Sequence, residues 1–263
     1  MSNLAINIEN ASLSLGGNLI LKNFNWQLER GSHHFILGAN GAGKTTLVKM
    51  IMGLAWPYYG ATVEVLGERY GHIDLATMRK RIAWVSPFLQ QLTSERELSG
   101  AEVVISGVEG TLGLFRKEEP GEREKAFEML KMLKGEHLMD RPMQVMSSGE
   151  QIKLLIARAL MSRPELMILD ETGVYLDISS REFFLSMVEK LAADRPELTI
   201  IFITQRIEDI LPMFDCGMII RKGEVIARGK RDEVLSEDNL RKAFDLNIKL
   251  IRNQAGRFWP VIE

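Results

Sequence analysis

A chain of 263 residues is long enough to bury a sizeable core, as one large domain or one domain carrying an insertion. Its 46% apolar and 26% charged residues describe a globular chain rather than a disordered one, and a formal net charge of −2 gives no electrostatic reason to expect nucleic acid as a partner. Cys216 is the single cysteine, so no internal disulfide framework exists and a reducing compartment is expected. No apolar run reaches bilayer-spanning length, and Met1-Ser2-Asn3-Leu4-Ala5 lacks the basic start and apolar core of a secretory leader, which makes the cytoplasm the expected location.

In chain order, the alternating stretches 5–9, 24–28 and 62–66, set among Gly and Asn turns, predict antiparallel strands. Phe35-Ile36-Leu37 reads as a buried strand, and a helix is expected from Thr46, with Leu47, Met50, Ile51 and Leu54 on its apolar face. From about 90 to 161 the pattern turns helical. One helix within 120–134 groups Ala126, Phe127, Leu130 and Leu133 on one face, preceded by an exposed loop over 110–121. Strand character returns at 166–169 and 199–203 with helices between, which implies parallel strands joined by crossovers. The tail predicts a helix over 238–244 and a short strand over 248–251. His33 and His34, the Met129, Met132, Met139, Met143 and Met146 group, and Cys216 are expected to be structural, and Arg79-Lys80-Arg81 a solvated face.

Between the first buried strand and its helix, Gly38-Ala39-Asn40-Gly41-Ala42-Gly43-Lys44-Thr45 fits the phosphate-loop pattern G-x-x-x-x-G-K-[ST] in the strand-loop-helix context that pattern requires. Main-chain N–H groups from Gly41 to Thr46, at the positive end of a helix, suit the α- and β-phosphates of a nucleotide. Lys44 is expected to reach the β- and γ-oxygens, and Thr45 to offer its hydroxyl to Mg²⁺, a cation that prefers oxygen ligands. Gly38, Asn40, Gly41, Gly43, Lys44, Thr45 and Thr46 make up the expected loop contacts. Leu166-Met167-Ile168-Leu169 ends in Asp170-Glu171, an arrangement that sets one carboxylate near the metal and a second near the γ-phosphate. Asp170 is expected to hold the metal and Glu171 to orient and deprotonate the attacking water. Met146-Ser147-Ser148-Gly149-Glu150-Gln151 precedes the apolar periodicity of Ile152, Leu155, Ile156, Ala159 and Leu160, and taken alone is a helix N-cap.

At this distance before the Asp-Glu strand, that segment resembles the signature of the ATP-binding subunits of ABC systems, whose forms include Leu-Ser-Gly-Gly-Gln and Leu-Ser-Ser-Gly-Glu-Gln; Met146 stands for the leading Leu. The resemblance runs from the first strand to about Glu233, with the motifs in family order. It implies a phosphate-loop NTPase core, a parallel sheet flanked by helices, with an N-terminal antiparallel β subdomain and an inserted helical subdomain. The expected boundaries are 1–89 and 162–235 for core and β subdomain, 90–161 for the helical insert and 236–263 for a C-terminal extension. It further implies that ATP is clamped between the phosphate loop of one subunit and Ser147 and Gly149 of another, with Asp177 nearby.

Several positions depart from the family pattern. Gln205 stands where a γ-phosphate-contacting His is usual; its amide donates a hydrogen bond but carries no positive charge, so slow or absent hydrolysis is expected. Pro87 falls at the usual metal-contacting Gln, leaving Gln90 or Gln91 to reach in or the coupling to the helical block altered. Leu15 aligns with the aromatic that stacks on adenine, and Thr172-Gly173-Val174-Tyr175-Leu176 replaces the common residues before Asp177.

The resemblance therefore implies an ATPase subunit, nearest to importers of metal chelates, haem or molybdate. Its partners are a second copy or a paralogous ATP-binding subunit and membrane-spanning permease subunits, with ATP and Mg²⁺ as cofactors and a peripheral position at the inner membrane face. The alternative is a soluble ATP-dependent switch with little hydrolysis, which Gln205 and Pro87 motivate.

Overall fold

Alternation of apolar and polar residues carries the first two strands further than the sequence suggests. Strand β1 (Leu4–Leu15) pairs antiparallel with β2 (Asn18–Glu29), turning through Gly16-Gly17. Their inward faces bury Ile6, Ile8 and Leu13 against Leu21, Phe24 and Trp26, a face large enough to stabilise the hairpin by hydrophobic burial. The computed structural model describes residues 3–263, so Met1 and Ser2 of the stretch read for a leader lie outside it. The chain divides into two units, residues 3–75 with 192–263, and residues 76–191.

In the first unit, β3 (His33–Leu37) leads through the glycine-rich loop into α1 (Lys44–Ile51). Strand β4 (Thr62–Val65) then pairs antiparallel with β1, and β5 (Glu68–Arg69) with β4, giving the sheet order β2-β1-β4-β5. Leu54, expected on the α1 face, is 51% exposed. The helix has ended by then, and Gly53 at φ +63° turns the chain away.

The second unit opens with α2 (Leu75–Lys80) and β6 (Ile82–Val85). Helices α3 (Pro87–Ser94), α4 (Gly100–Ile105), α5 (Glu122–Met132) and α6 (Ser148–Met161) follow, then β7 (Leu166–Asp170) and α7 (Ile178–Asp194). Strands β6 and β7 pair in parallel, as the crossover pattern requires. Helices α4 and α5 pack on α6, and the 3₁₀ turn Ser106–Val108 that follows α4 comes closest: a Cβ on Gly107 would sit 2.0 Å from the Arg158 carbonyl oxygen. The start of the 110–121 loop is pinned by Arg158, whose guanidinium donates to the Thr111 carbonyl at 3.0 and 2.6 Å. Burial pushes that guanidinium down to about 10.

Three expectations for this unit need correction. Ala126 and Leu130 are buried, one turn apart, whereas Phe127 lies one step round the helix and is 40% exposed. Of the methionines read as structural, Met139, Met143 and Met146 are buried and Met129 is half-buried, but Met132, in the last turn of α5, is exposed. In the basic run, Arg81 pairs with Glu165 at 2.5 Å rather than being merely solvated.

The chain then returns to the first unit with β8 (Thr199–Thr204), β9 (Cys216–Arg221) and β10 (Glu224–Lys230). Strand β3 lies between β8 and β9, parallel to both, and β10 closes antiparallel on β9. Phe35, Ile36, Ile201 and Ile203 are buried on these central strands, which read as continuous apolar runs because both faces are covered. Cys216 starts β9 half-buried rather than in the core. Helices α8 (Arg231–Val234) and α9 (Glu237–Phe244) precede a hairpin of β11 (Ile248–Arg252) and β12 (Phe258–Ile262). No strand after 248–251 is expected from the sequence; β12 contains Pro260, and in a two-stranded ribbon it sits at an edge that tolerates the missing N–H. Among the described residues no helix is long and apolar enough to cross a membrane.

At the entry to β3, His34 packs 6.3 Å from the Trp26 ring, and burial pushes its imidazole down to about 4 despite the nearby Asp215. The folded chain therefore holds His34 neutral, and the unfolded chain takes up the proton first. Stability is expected to be intact above pH 6.5 and to fall as pH drops towards about 4. Thermal unfolding across that range checks this, with His34→Gln flattening the decline.

Candidate nucleotide site

The glycine-rich loop wraps its own lysine. Lys44 is 4% exposed and its Nζ donates to the carbonyl oxygens of Gly38 at 2.7 Å and Ala39 at 2.9 Å. Gly43, at φ 106°, is the N-cap residue of α1, so the first-turn N–H groups of Lys44, Thr45 and Thr46 face outward at the positive end of the helix. Asn40, Gly41 and Thr45 are exposed, Gly38 and Gly43 are buried, and Thr46 is half-buried.

The loop is fixed from outside itself. Gly223, in the turn between β9 and β10, donates its N–H to the Ala42 carbonyl at 2.9 Å and accepts the Lys22 N–H at 3.1 Å. A Cβ on Gly223 would lie 1.9 Å from the Ile20 carbonyl oxygen, and its φ of +80° also favours glycine. The sequence reading passed over this residue, although Lys222-Gly223 carries a turn signal. On the other flank, Leu37 of β3 pairs with Thr204 of β8, so Gln205 leaves its strand beside the residue that opens the loop. Thr204 Oγ1 accepts the Arg206 N–H at 3.0 Å and turns the chain there. Leu15 ends β1 at 41% exposure, offering an aliphatic surface and no ring.

In the second unit, Asp170 ends β7 at 2% exposure and Glu171 follows, half-buried, at φ 54°. A left-handed backbone is unfavourable for glutamate and marks a position held by its surroundings. The Val174 N–H closes the turn on the Glu171 carbonyl at 3.2 Å. Asp177, exposed, caps α7: it accepts the Ser180 N–H and hydroxyl, each at 2.9 Å, which hold it below the usual carboxylate range.

Ser147 is the N-cap of α6 in a complete capping box. Its hydroxyl accepts the Glu150 N–H at 3.3 Å and donates to Glu150 Oε2 at 3.0 Å, while its own N–H donates to Oε2 at 2.8 Å. Burial raises the Glu150 carboxyl, but the Ser147 N–H, the Ser147 hydroxyl and Arg141 together hold it down at about 2. The Ser147 hydroxyl is exposed and already engaged by Glu150. Gly149 abuts the start of α7, where a Cβ would come 3.1 Å from Ser180 Oγ. The start of the signature helix and the Asp177 turn therefore pack as one piece.

The segment around Pro87 differs from the loop expected there. Ser86 caps α3 with its hydroxyl and Pro87 occupies the first turn, which makes this a helix start. Gln91 is exposed and bonds Glu95, whereas Gln90 is 8% exposed and donates to Gln151 Oε1 at 2.8 Å. Gln151 Nε2 donates in turn to the carbonyls of Met143 at 3.1 Å and Met146 at 3.3 Å. Gln90 thus supports the backbone that leads into Ser147.

Two substitutions follow from these contacts. Gly223→Ala is expected to destabilise the chain by more than about 2 kcal/mol and to weaken nucleotide binding, read by denaturant unfolding and ATP titration. For the Gln90 and Gln151 amides, a double-mutant cycle with alanine is expected to give a coupling of about 1 kcal/mol in unfolding free energy.

Comparison with known proteins places this geometry. The sequence pattern described as ABC transporter matches residues 21–173. An uncharacterized ABC transporter ATP-binding protein of Bacillus subtilis is 35% identical over 97% of this chain and 96% of its own length. The manganese transport system ATP-binding protein of Halalkalibacterium halodurans is 30% identical over 94% of each. An inward-facing ABC transporter of metal-chelate type shares the fold, with a TM-score of 0.78 over 98% of each chain at 24% identity. A phosphate loop folded round Lys44, a capped signature helix and matches over nearly the whole length lead to one conclusion: the chain belongs to the ATP-binding subunits of the ABC transporter family.

Proposed function

We propose that this chain binds and hydrolyses ATP to drive an ABC transport system, acting as a dimer on separate membrane-spanning permease subunits. The observation that carries the reading is the phosphate loop itself, closed round a buried Lys44 and flanked by Gln205. The N–H groups from Gly41 to Thr46 take the α- and β-phosphates, and Lys44 exchanges the carbonyls of Gly38 and Ala39 for β- and γ-oxygens. Gly38, Asn40 and Gly43 shape the loop.

The residues suit Mg²⁺ chemically: the exposed Thr45 hydroxyl and the buried Asp170 carboxylate each offer the hard oxygen that this cation prefers. When bound, Mg²⁺ supplies charge neutralisation at the β- and γ-phosphates. Glu171 orients the attacking water and takes its proton, and its left-handed backbone fixes where the carboxylate starts from. Gln205 donates a neutral hydrogen bond to the γ-phosphate or to that water, which predicts slower turnover than a charged donor gives.

Ser147 and Gly149 of a second copy, or of a paralogous subunit, complete the site. The Ser147 hydroxyl and the N–H groups at the start of α6 suit a γ-phosphate, and Asp177 braces the adjoining turn. Closure of two such subunits round ATP and their release after hydrolysis provide the mechanical stroke. The helical block at 90–161 is the part we assign to the permease, with residues 1–89 and 162–235 as nucleotide core and β subdomain. This gives the chain a peripheral position at the inner membrane face. A metal-import system is the class of transporter we infer, supported by the manganese relative. The soluble-switch alternative is not favoured, because the relatives are ATP-binding proteins of transporters.

Phosphate release separates the two. The wild-type chain is expected to turn over ATP, and Glu171→Gln to lower that rate by about 10²-fold or more while nucleotide binding persists. A wild type that releases no more phosphate than the variant would return the chain to the switch reading.

A further inference from the structure

The C-terminal hairpin ends close to the Gln205 segment and grips it through one side chain. Arg257, at the turn of the β11–β12 hairpin, is 9% exposed. Its Nε and Nη2 donate to the Glu208 carbonyl oxygen at 3.0 and 2.7 Å. The guanidinium lies 4.9 Å from the centroid of the Trp259 ring, which supports it by cation–π contact. Its backbone is fixed as well: the Arg257 N–H donates to Asn253 Oδ1 at 2.9 Å, and the Asn253 N–H to the Arg257 carbonyl at 3.0 Å.

Glu208 sits in the 3₁₀ turn Ile207–Asp209, directly after Gln205 and Arg206. The inner side of that turn is anchored by Ile207 at 4% exposure and Ile210 at 0%. Thr204 Oγ1 constrains its start through the Arg206 N–H. The segment that carries Gln205 is therefore held at its root by β8, from within by two isoleucines, and from outside by one guanidinium. A carbonyl that takes two N–H bonds from a planar, stacked fork has little freedom to shift or rotate. Any movement of the hairpin reaches Gln205 through a few residues of constrained backbone.

We propose that Arg257 is a positioning residue for Gln205: the C-terminal hairpin, acting through the Glu208 carbonyl, sets the Gln205 amide for phosphoryl transfer. The proposal rests on the role assigned to Gln205 above. It gives the hairpin a part in the rate of hydrolysis and none in the capture of nucleotide, which belongs to the loop at 38–46.

The test uses the full chain and reads ATP turnover, ATP affinity and amide exchange across 205–210. Arg257→Ala is expected to lower kcat about tenfold, as small misplacements of catalytic groups do, with ATP affinity within about twofold of wild type. Added to Gln205→Ala, it should lower kcat no further, since the group it positions is gone. Should Arg257→Ala fold poorly, Arg257→Lys keeps the charge but not the fork or the stacking. It is expected to cut kcat about threefold and to speed amide exchange at 206–210. A slow Gln205→Ala with Arg257→Ala and Arg257→Lys at wild-type kcat overturns the positioning role alone. Parallel losses of ATP affinity and kcat, or an undiminished Arg257 effect in the Gln205→Ala background, overturn it as well by leaving only a structural staple. A Gln205→Ala chain with wild-type kcat overturns the role of Gln205 and the proposal with it.

Discussion

The structure of the first unit turns on one residue, Gly223. Its N–H holds the Ala42 carbonyl of the phosphate loop, and its carbonyl holds the Lys22 N–H of β2. The loop between β3 and α1 has few side chains with which to fix itself, because its glycines are there to keep atoms away. Its shape is consequently imposed by neighbours: β2 on one side, the β9–β10 turn on another, and the end of β8 beside its first residue. The parallel placement of β3 between β8 and β9 aligns the carboxyl ends of three strands, the edge at which ligands of open α/β sheets bind. The antiparallel hairpin of β1 and β2 is therefore as much a part of the nucleotide site as the loop is.

What sequence made legible was whatever is local. The phosphate loop is read from glycine and lysine spacing, because the backbone must both approach a polyanion and start a helix. The start of α6 was legible as Ser147 followed three residues later by Glu150, and the two do close a capping box. Local signals failed where a residue has two meanings. Pro87 reads as a replacement for a metal-contacting Gln in a loop, yet proline is at home in the first turn after a serine cap, and α3 begins there. Proline is rare inside strands, yet the isolated ribbon of β11 and β12 accommodates Pro260. Phe127 was assigned to an apolar face that one further step round the helix takes into solvent.

Contacts between residues far apart in the chain carried no signal of any kind. Gln90 meets Gln151 across 61 positions and Arg257 meets Glu208 across 49. Both pairs brace functional backbone through a side chain bonding to a neighbouring carbonyl or amide. A single sequence offers no period or spacing from which such a pairing is recognised. The second unit also shows how a departure from family pattern is absorbed: with Pro87 beginning a helix, a glutamine one turn later is buried against the signature helix.

Lys44 carries a thermodynamic consequence. Its ammonium is withdrawn from water during folding and satisfied by the carbonyls of Gly38 and Ala39, so its dehydration belongs to the free energy of the fold. A nucleotide arriving at the loop exchanges one set of oxygen acceptors for another around a cation already dry and in place. On the lysine side, affinity for the polyanion is then a difference between two internal solvations of the same ammonium. The stability of the free loop and the strength with which it takes phosphate are set in opposition by the same two carbonyl groups.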